Sequence, residues 1–314
     1  MNREHYDVIV IGAGPAGLTA GIYLSRGKVK TLIINEGAVG GQTVLTHEVA
    51  NYPGIDTISG YQLARQMKSQ ALKYGATIKS NVRITNLSLS EDVKSVEVSG
   101  KDLYTSDAII LATGGKSRTL NVPGEEEFKG RGISYCATCD GDFFQDKEII
   151  VVGGGNSALE EAVSLTKYAK HVTVVHQFDH FQASPHAVEE ARNNDKISFI
   201  MESKINEFIG TEKLEKIKIE HQVTGEIIEM HVDGVFILIG YEPNTKSIKG
   251  LIELNERNEI VTNEFMETNI PGVFAAGDSR AKRYRQITTA VSDGTIAALR
   301  AIEYVHELHT QVPA

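Results

Sequence analysis

The chain has 314 residues, 41% of them hydrophobic and 23% charged, a balance that suits a folded protein of about two domains and excludes a disordered or fibrous one. Its net charge of −9 argues against a broad nucleic-acid surface. Its two cysteines, Cys136 and Cys139, exclude a disulfide framework and a four-cysteine zinc site.

The first long uncharged stretch runs from Val8 to Ser25. Gly12, Gly14, Gly17 and Gly21 interrupt it, and Glu4 and Asp7 precede it, so neither a signal peptide nor a membrane span is expected. With no export signal, the expected compartment is the cytoplasm. Residues 7–36 read instead as strand, glycine turn, helix and strand. Gly12 allows the tight turn, Gly14 lets a pyrophosphate approach the backbone, and Gly17 lets the helix pack close to the sheet. The diphosphate would lie at the helix N-terminus, where free N–H groups favour an anion. Glu36 is expected at the end of the second strand, accepting hydrogen bonds from adenosine ribose hydroxyls.

Cys136-Ala137-Thr138-Cys139 follows in the segment GRGISYCATCDGDFF. Two cysteines at this spacing in a cytosolic chain read as a reducible pair, and the adjacent Asp140 as its proton donor or acceptor. A metal site using His176, His180 or His186 is set aside for want of further cysteines, and no metal is expected. Residues 148–177 then repeat the nucleotide unit, with Gly153, Gly155 and Ala158 at the turn and Asn156 and Ser157 opening the helix. Where the first unit has Glu36, the second has Gln177. Near the C-terminus, Val273–Ala276 reads as a strand able to complete the first sheet. Asp278 follows in a polyol-binding turn, and a long helix is expected from Arg285 onward. These signals predict an α/β chain of two Rossmann-like domains. The first is discontinuous, 1–115 with 247–314, and the second, 116–246, is inserted in it. Leu111–Gly115 and Ile239–Pro243 are the expected crossing points. Arg280, Lys282 and Arg283 are expected on a solvated rim, of a kind that can steer an acidic partner such as ferredoxin, with Arg285 serving the ligand region. Arg131 is expected to help dock a protein substrate, and His306 and His309 to face solvent at a helix end.

The motifs GAGPAG (12–17), GGQ (40–42), NYPG (51–54), SYCATCDG (134–141), GGGNSA (153–158), AAGD (275–278) and RQI (285–287) resemble those of the low-molecular-weight thioredoxin reductases over essentially the whole chain. The resemblance implies a homodimeric FAD enzyme. In it, electrons pass from flavin to the Cys136–Cys139 disulfide and on to thioredoxin, and the two domains rotate to allow this. It implies FAD contacts from Gly12, Gly14, Ala16, Gly17, Glu36, Gly41, Gln42, Asn51, Thr113, Gly277, Asp278, Arg285, Gln286 and Ile287. Cys139 would face the flavin and Cys136 would attack thioredoxin.

One segment departs from the family. NADPH-dependent members carry HRRxxFR after the second nucleotide strand, whereas this chain has Gln177, Phe178 and Gln182 in place of the three arginines. Arginine forks bind a 2′-phosphate through charge-assisted bonds of about 1.5–3 kcal/mol each, so their loss should cost orders of magnitude in NADPH affinity. NADH is not favoured either, because position 177 lacks an acid for the free ribose hydroxyl. The site at Gly153, Gly155, Asn156 and Ser157 is therefore expected to be weak or vestigial. In this loss of arginines the chain resembles a branch of these reductases that takes electrons from reduced ferredoxin, so the resemblance implies ferredoxin as the favoured donor over NAD(P)H. An NAD(P)H-dependent thioredoxin reductase, a flavin dithiol oxidase, a small-disulfide reductase and a nucleotide-sensing or flavin-carrying interaction module are the alternative readings.

Overall fold

The structure, a computed structural model, describes residues 2–46, 48–90 and 92–311. The chain divides into two compact units, one of residues 1–116 with 242–314 and the other of 117–241. It passes between them along Gly115–Ser117 and Tyr241–Pro243, which pair as a two-stranded ribbon. Among the described residues, no helix is long and apolar enough to cross a membrane.

In the first unit the strand Asn2–Ile11 is central. It pairs in parallel with Thr31–Asn35 on one side and Asp102–Leu111 on the other, and Thr77–Ser80 adds beyond Thr31–Asn35. Val8–Ile11, Leu32–Ile34 and Ala108–Leu111 are continuously buried, the pattern of parallel strands covered on both faces. One face packs Val8, Val10 and Ile33 against the helices Pro15–Arg26 and Ile287–Gln311 through Leu18, Ala297 and Ala301. Those helices meet closely, because a Cβ on Gly294 would fall 2.2 Å from the Ala16 carbonyl oxygen. Val273–Ala275 pairs with Ile109–Leu111 and completes the sheet, as its sequence suggests. The last helix starts at Ile287 rather than Arg285, because Arg285 stays in the preceding loop, ion-paired to Glu259.

The second unit holds a parallel sheet in the order Ile197–Ile200, His171–Val175, Glu148–Val152, Gly234–Ile237, Ile133–Ser134. The helices Asn156–Leu165 and Pro185–Arg192 bury Ala158, Leu159, Ala162, Ala187 and Ala191 against it. An antiparallel sheet of Ser203–Gly210, Leu214–His221 and Ile227–His231 carries Phe208, Ile217 and Ile219 into a second core. Both units are therefore Rossmann-like, and the redox segment sits just past the edge strand Ile133–Ser134.

Candidate active site

The first glycine turn is dictated by contact. Gly12 has φ +108°, and a Cβ there would lie 2.1 Å from the Ala112 carbonyl oxygen. A Cβ on Gly17 would lie 1.9 Å from the Gly12 carbonyl oxygen. No other residue type fits either position. Gly14 caps the helix Pro15–Arg26 without a side-chain hydrogen bond, so the helix presents backbone N–H groups at its start. Gly41 lies against it, since a Cβ on Gly41 would reach Gly14 Cα at 3.2 Å. Asn35, which the sequence reading passed over, locks this arrangement. Its Oδ1 accepts the Ala13 N–H at 2.9 Å, and its Nδ2 donates to the carbonyls of Gly37 and Ala38.

Glu36 lies one residue beyond its strand rather than at its end, and its Oε1 accepts the Ile84 N–H at 3.0 Å. Gln42 is exposed in the short helix Gly41–Leu45. Asn51 and Gln286, distant in sequence, are brought together, Asn51 Nδ2 donating to Gln286 Oε1 at 3.4 Å. Ile287 begins the last helix and packs partly buried against the core.

Two buried oxygens stand beside this turn: Thr113 Oγ1, which has no hydrogen-bond partner, and Asp278 Oδ1, which faces the Lys282 ammonium. Lys282 Nζ lies 3.2 Å from Asp278 Oδ1, yet burial still raises the Asp278 pKa above the ordinary carboxylate range. Gly277, with φ +79°, abuts Ala16, whose Cβ would be 2.9 Å from an added Cβ. Glycines shaped for close approach, an uncapped helix start and the unpartnered buried Thr113 hydroxyl beside the Asp278 carboxylate fit a flavin dinucleotide with ribose and ribityl hydroxyls to donate.

The expected basic rim is corrected in part. Arg280 and Lys282 turn inward to Asp293, at 3.4 and 3.0 Å, and Asp293 also accepts the Gly277 N–H at 3.0 Å. Only Arg283 of that trio is exposed. The reason is the turn of the last helix, which brings Asp293 back over the loop. These cations brace the Asp278 turn and do not form a steering surface.

In the second unit Cys136 and Cys139 are joined as a disulfide around the one-turn helix Ala137–Asp140. Ser134 Oγ accepts the Cys136 N–H at 3.0 Å and donates to Asp140 Oδ2 at 2.5 Å. Glu161, missed in the sequence, reaches from the helix Asn156–Leu165 to accept the Ala137 N–H at 3.0 Å. Burial raises the pKa of both carboxyls, against the lowering effect of those hydrogen bonds. The disulfide therefore sits beside two carboxyl groups biased toward the protonated state, a setting able to supply protons to departing thiolates. Arg131 is exposed, and its guanidinium donates to the carbonyls of Glu127 and Glu212.

The second glycine turn keeps its backbone form. Gly153 has φ +142°, and Gly155 caps its helix without a side-chain bond. Its surroundings differ. Gln182 N–H donates to the Gly154 carbonyl at 2.8 Å, and Asn156 Oδ1 accepts the Ser184 N–H at 2.6 Å. His176 is buried under Gly154 and stacks on Phe181, while Phe178 stacks on His180. Gln177, Phe178 and Gln182 are exposed, and Ser157 is exposed at the helix start. An adjoining groove of about 530 Å³ is lined by Asp179, His180, Phe181, Glu189 and Arg192 among others. Arg192 is the single basic side chain there apart from a histidine, and it lies over the Phe181 ring.

Residues 6–294 match the family described as pyridine nucleotide-disulphide oxidoreductase. The chain is 48% identical over 303 residues to the 34.2 kDa protein in the rubredoxin operon of Clostridium pasteurianum, covering 96% of this chain and 98% of that one. It is 46% identical over 310 residues to the thioredoxin reductase of Listeria innocua, covering 98% and 97%. The crystal structure of thioredoxin reductase from Streptococcus pyogenes matches with a TM-score of 0.93 at 42% identity, covering 96% of this chain and 99% of that one.

Proposed function

Because the chain belongs to the pyridine nucleotide-disulphide oxidoreductases, as a flavin disulfide oxidoreductase of the low-molecular-weight thioredoxin reductase type, we propose that it reduces thioredoxin or a thioredoxin-like protein, as a homodimer, with reduced ferredoxin as its preferred electron donor. Gly12, Gly14, Gly17, Gly41, Gln42, Asn51, Thr113, Asp278 and Gln286 would hold FAD, which would supply the two-electron store for the cysteine pair.

The chain's own part is thiol chemistry. Two electrons and two protons convert the Cys136–Cys139 disulfide to a dithiol. The Cys136 thiolate attacks the partner's disulfide, forming a mixed disulfide and expelling one partner thiolate. Cys139 then attacks Cys136, re-forming the internal disulfide and releasing the second partner thiol. Asp140, with its raised pKa, takes a proton from the attacking thiol and returns it to the leaving sulfur. The observation that carries this reading is the disulfide beside two half-buried carboxyls in a chain that also holds a flavin-shaped glycine turn.

The donor assignment rests on the second turn. A 2′-phosphate there would find Gln177, Phe178 and Gln182 where charge-assisted partners are needed, with Asp179, Glu189 and the single Arg192, laid over the Phe181 ring, in the adjoining groove. Anaerobic rapid mixing of the oxidised flavoprotein with NADPH, NADH or reduced ferredoxin tests it. Ferredoxin should bleach the flavin within a catalytic turnover and NADPH far more slowly. Equally fast bleaching by NADPH would refute the donor assignment. Thioredoxin turnover with chemically reduced enzyme tests the substrate independently.

A further inference from the structure

We propose that His5, Asp7, Asp107 and His309 bind one divalent ion of the zinc class at the edge of the first unit, apart from the redox and nucleotide sites. His5 and Asp7 are two apart on the strand Asn2–Ile11 and so share a face. Asp107 lies on the paired strand Asp102–Leu111, and His309 lies in the last turns of the C-terminal helix. Ligand atoms of His5, Asp7 and Asp107 all lie within 4.8 Å of one another. His5 Nε2 is 3.5 Å from Asp107 Oδ1, and His309 Nε2 is 2.9 Å from Asp107 Oδ2.

Ligands at about 2.0–2.2 Å from a tetrahedral zinc ion stand about 3.3–3.6 Å apart, so His5, Asp7 and Asp107 already approach that spacing, and His309, now bonded to Asp107 alone, must swing in to be the fourth ligand. The surroundings already orient the ligands. His5 Nδ1 hydrogen-bonds Thr105 Oγ1 at 3.1 Å, which turns Nε2 toward Asp107. Asp7 Oδ2 accepts the Lys30 N–H at 2.7 Å, which fixes that carboxylate. Partners behind a ligand set its tautomer and direction. Two imidazoles with two carboxylates suit zinc, nickel or cobalt better than calcium or magnesium, which prefer all-oxygen sites. The His5 and His309 side chains are 49% and 57% exposed, so an ion has open access. Bound there, it would tie together the first strand, a central strand and the end of the last helix.

The test is isothermal titration of the oxidised, FAD-loaded, chelator-treated protein with Zn²⁺. The intact disulfide keeps Cys136 and Cys139 from acting as thiolate ligands. One equivalent should bind, with affinity reduced about tenfold or more in His5→Ala and in His309→Ala and lost in the double variant. Zinc should also raise the thermal midpoint of the parent and not that of the double variant. Flavin content and disulfide-reductase turnover should be the same in all four proteins, which separates this site from the redox reading. Absence of a zinc equivalent in the parent protein, or its persistence in the double variant, overturns the proposal.

Discussion

A Cβ added at Gly14 would meet nothing nearer than Gly41 Cα at 3.9 Å, and one at Gly155 would meet nothing within 4 Å, so both glycine turns leave room at the helix start. What surrounds that room differs. At the first turn Gly41 closes over the backbone, and the buried Thr113 hydroxyl stands without a hydrogen-bond partner. At the second, Gly154 is already hydrogen-bonded to Gln182 and Asn156 to Ser184, beside stacked aromatic and imidazole rings. The second turn also packs helix on sheet: a Cβ on Gly153 would press on Leu238 and Ala158. Phosphate recognition needs more than the turn, namely cationic side chains from the loop after the next strand, and these are missing here.

The comparison can be broken or sharpened in several ways. Cys136→Ser or Cys139→Ser should lower thioredoxin reduction by about 10³-fold or more while the flavin stays bound, read by turnover and by the flavin spectrum, because no other side chain can form the exchanging disulfide. Gly12→Ala should cost several kcal/mol and yield protein without flavin, since its Cβ would overlap the Ala112 carbonyl at positive φ. Gly155→Ala should leave flavin content and turnover intact, and a matching loss there would show the second turn to be a working site. Restoring charge with Gln177→Arg, Phe178→Arg and Gln182→Arg should raise NADPH-driven flavin reduction by about 10³-fold, given three bonds of about 1.5 kcal/mol each. No gain would mean that the Gln182 and Ser184 backbone, rather than missing charge, closes the site.

Asp140→Asn should slow thiol exchange by about 10²-fold and flatten the limb of the pH profile that Asp140 sets above the ordinary aspartate range. Its effect on stability has a definite sign. A carboxyl whose folded pKa is raised binds its proton more tightly when folded. Stability from that proton is present below the unfolded pKa and is lost as pH rises through the folded one. Asp140→Asn should therefore raise the thermal midpoint near neutral pH, and the gain should shrink on acidification toward the ordinary aspartate value. A constant difference across that window would contradict the assignment.

Much of this was legible along the chain. The glycine turns, the cysteine pair and the closing strand Val273–Ala275 are local patterns whose spacing states their geometry. Glu161 was half legible. It borders the buried stripe of Ala158, Leu159, Ala162 and Leu165, but its partner Ala137 lies on another element. Arg280 and Lys282 misled because a run of cations reads as surface until Asp293 is folded over it. His5, Asp7, Asp107 and His309 gave no local sign at all, since they meet only where two strands and the last helix converge.

By itself, then, the order of residues determined the two Rossmann-like units, the flavin turn, the redox pair and the absence of arginines after the second nucleotide strand, because each depends on neighbours within a few positions. The folded chain alone decided which charges are satisfied and which are left for a ligand. A side chain's electrostatic environment is set by segments that sequence separates and packing brings within a few ångströms.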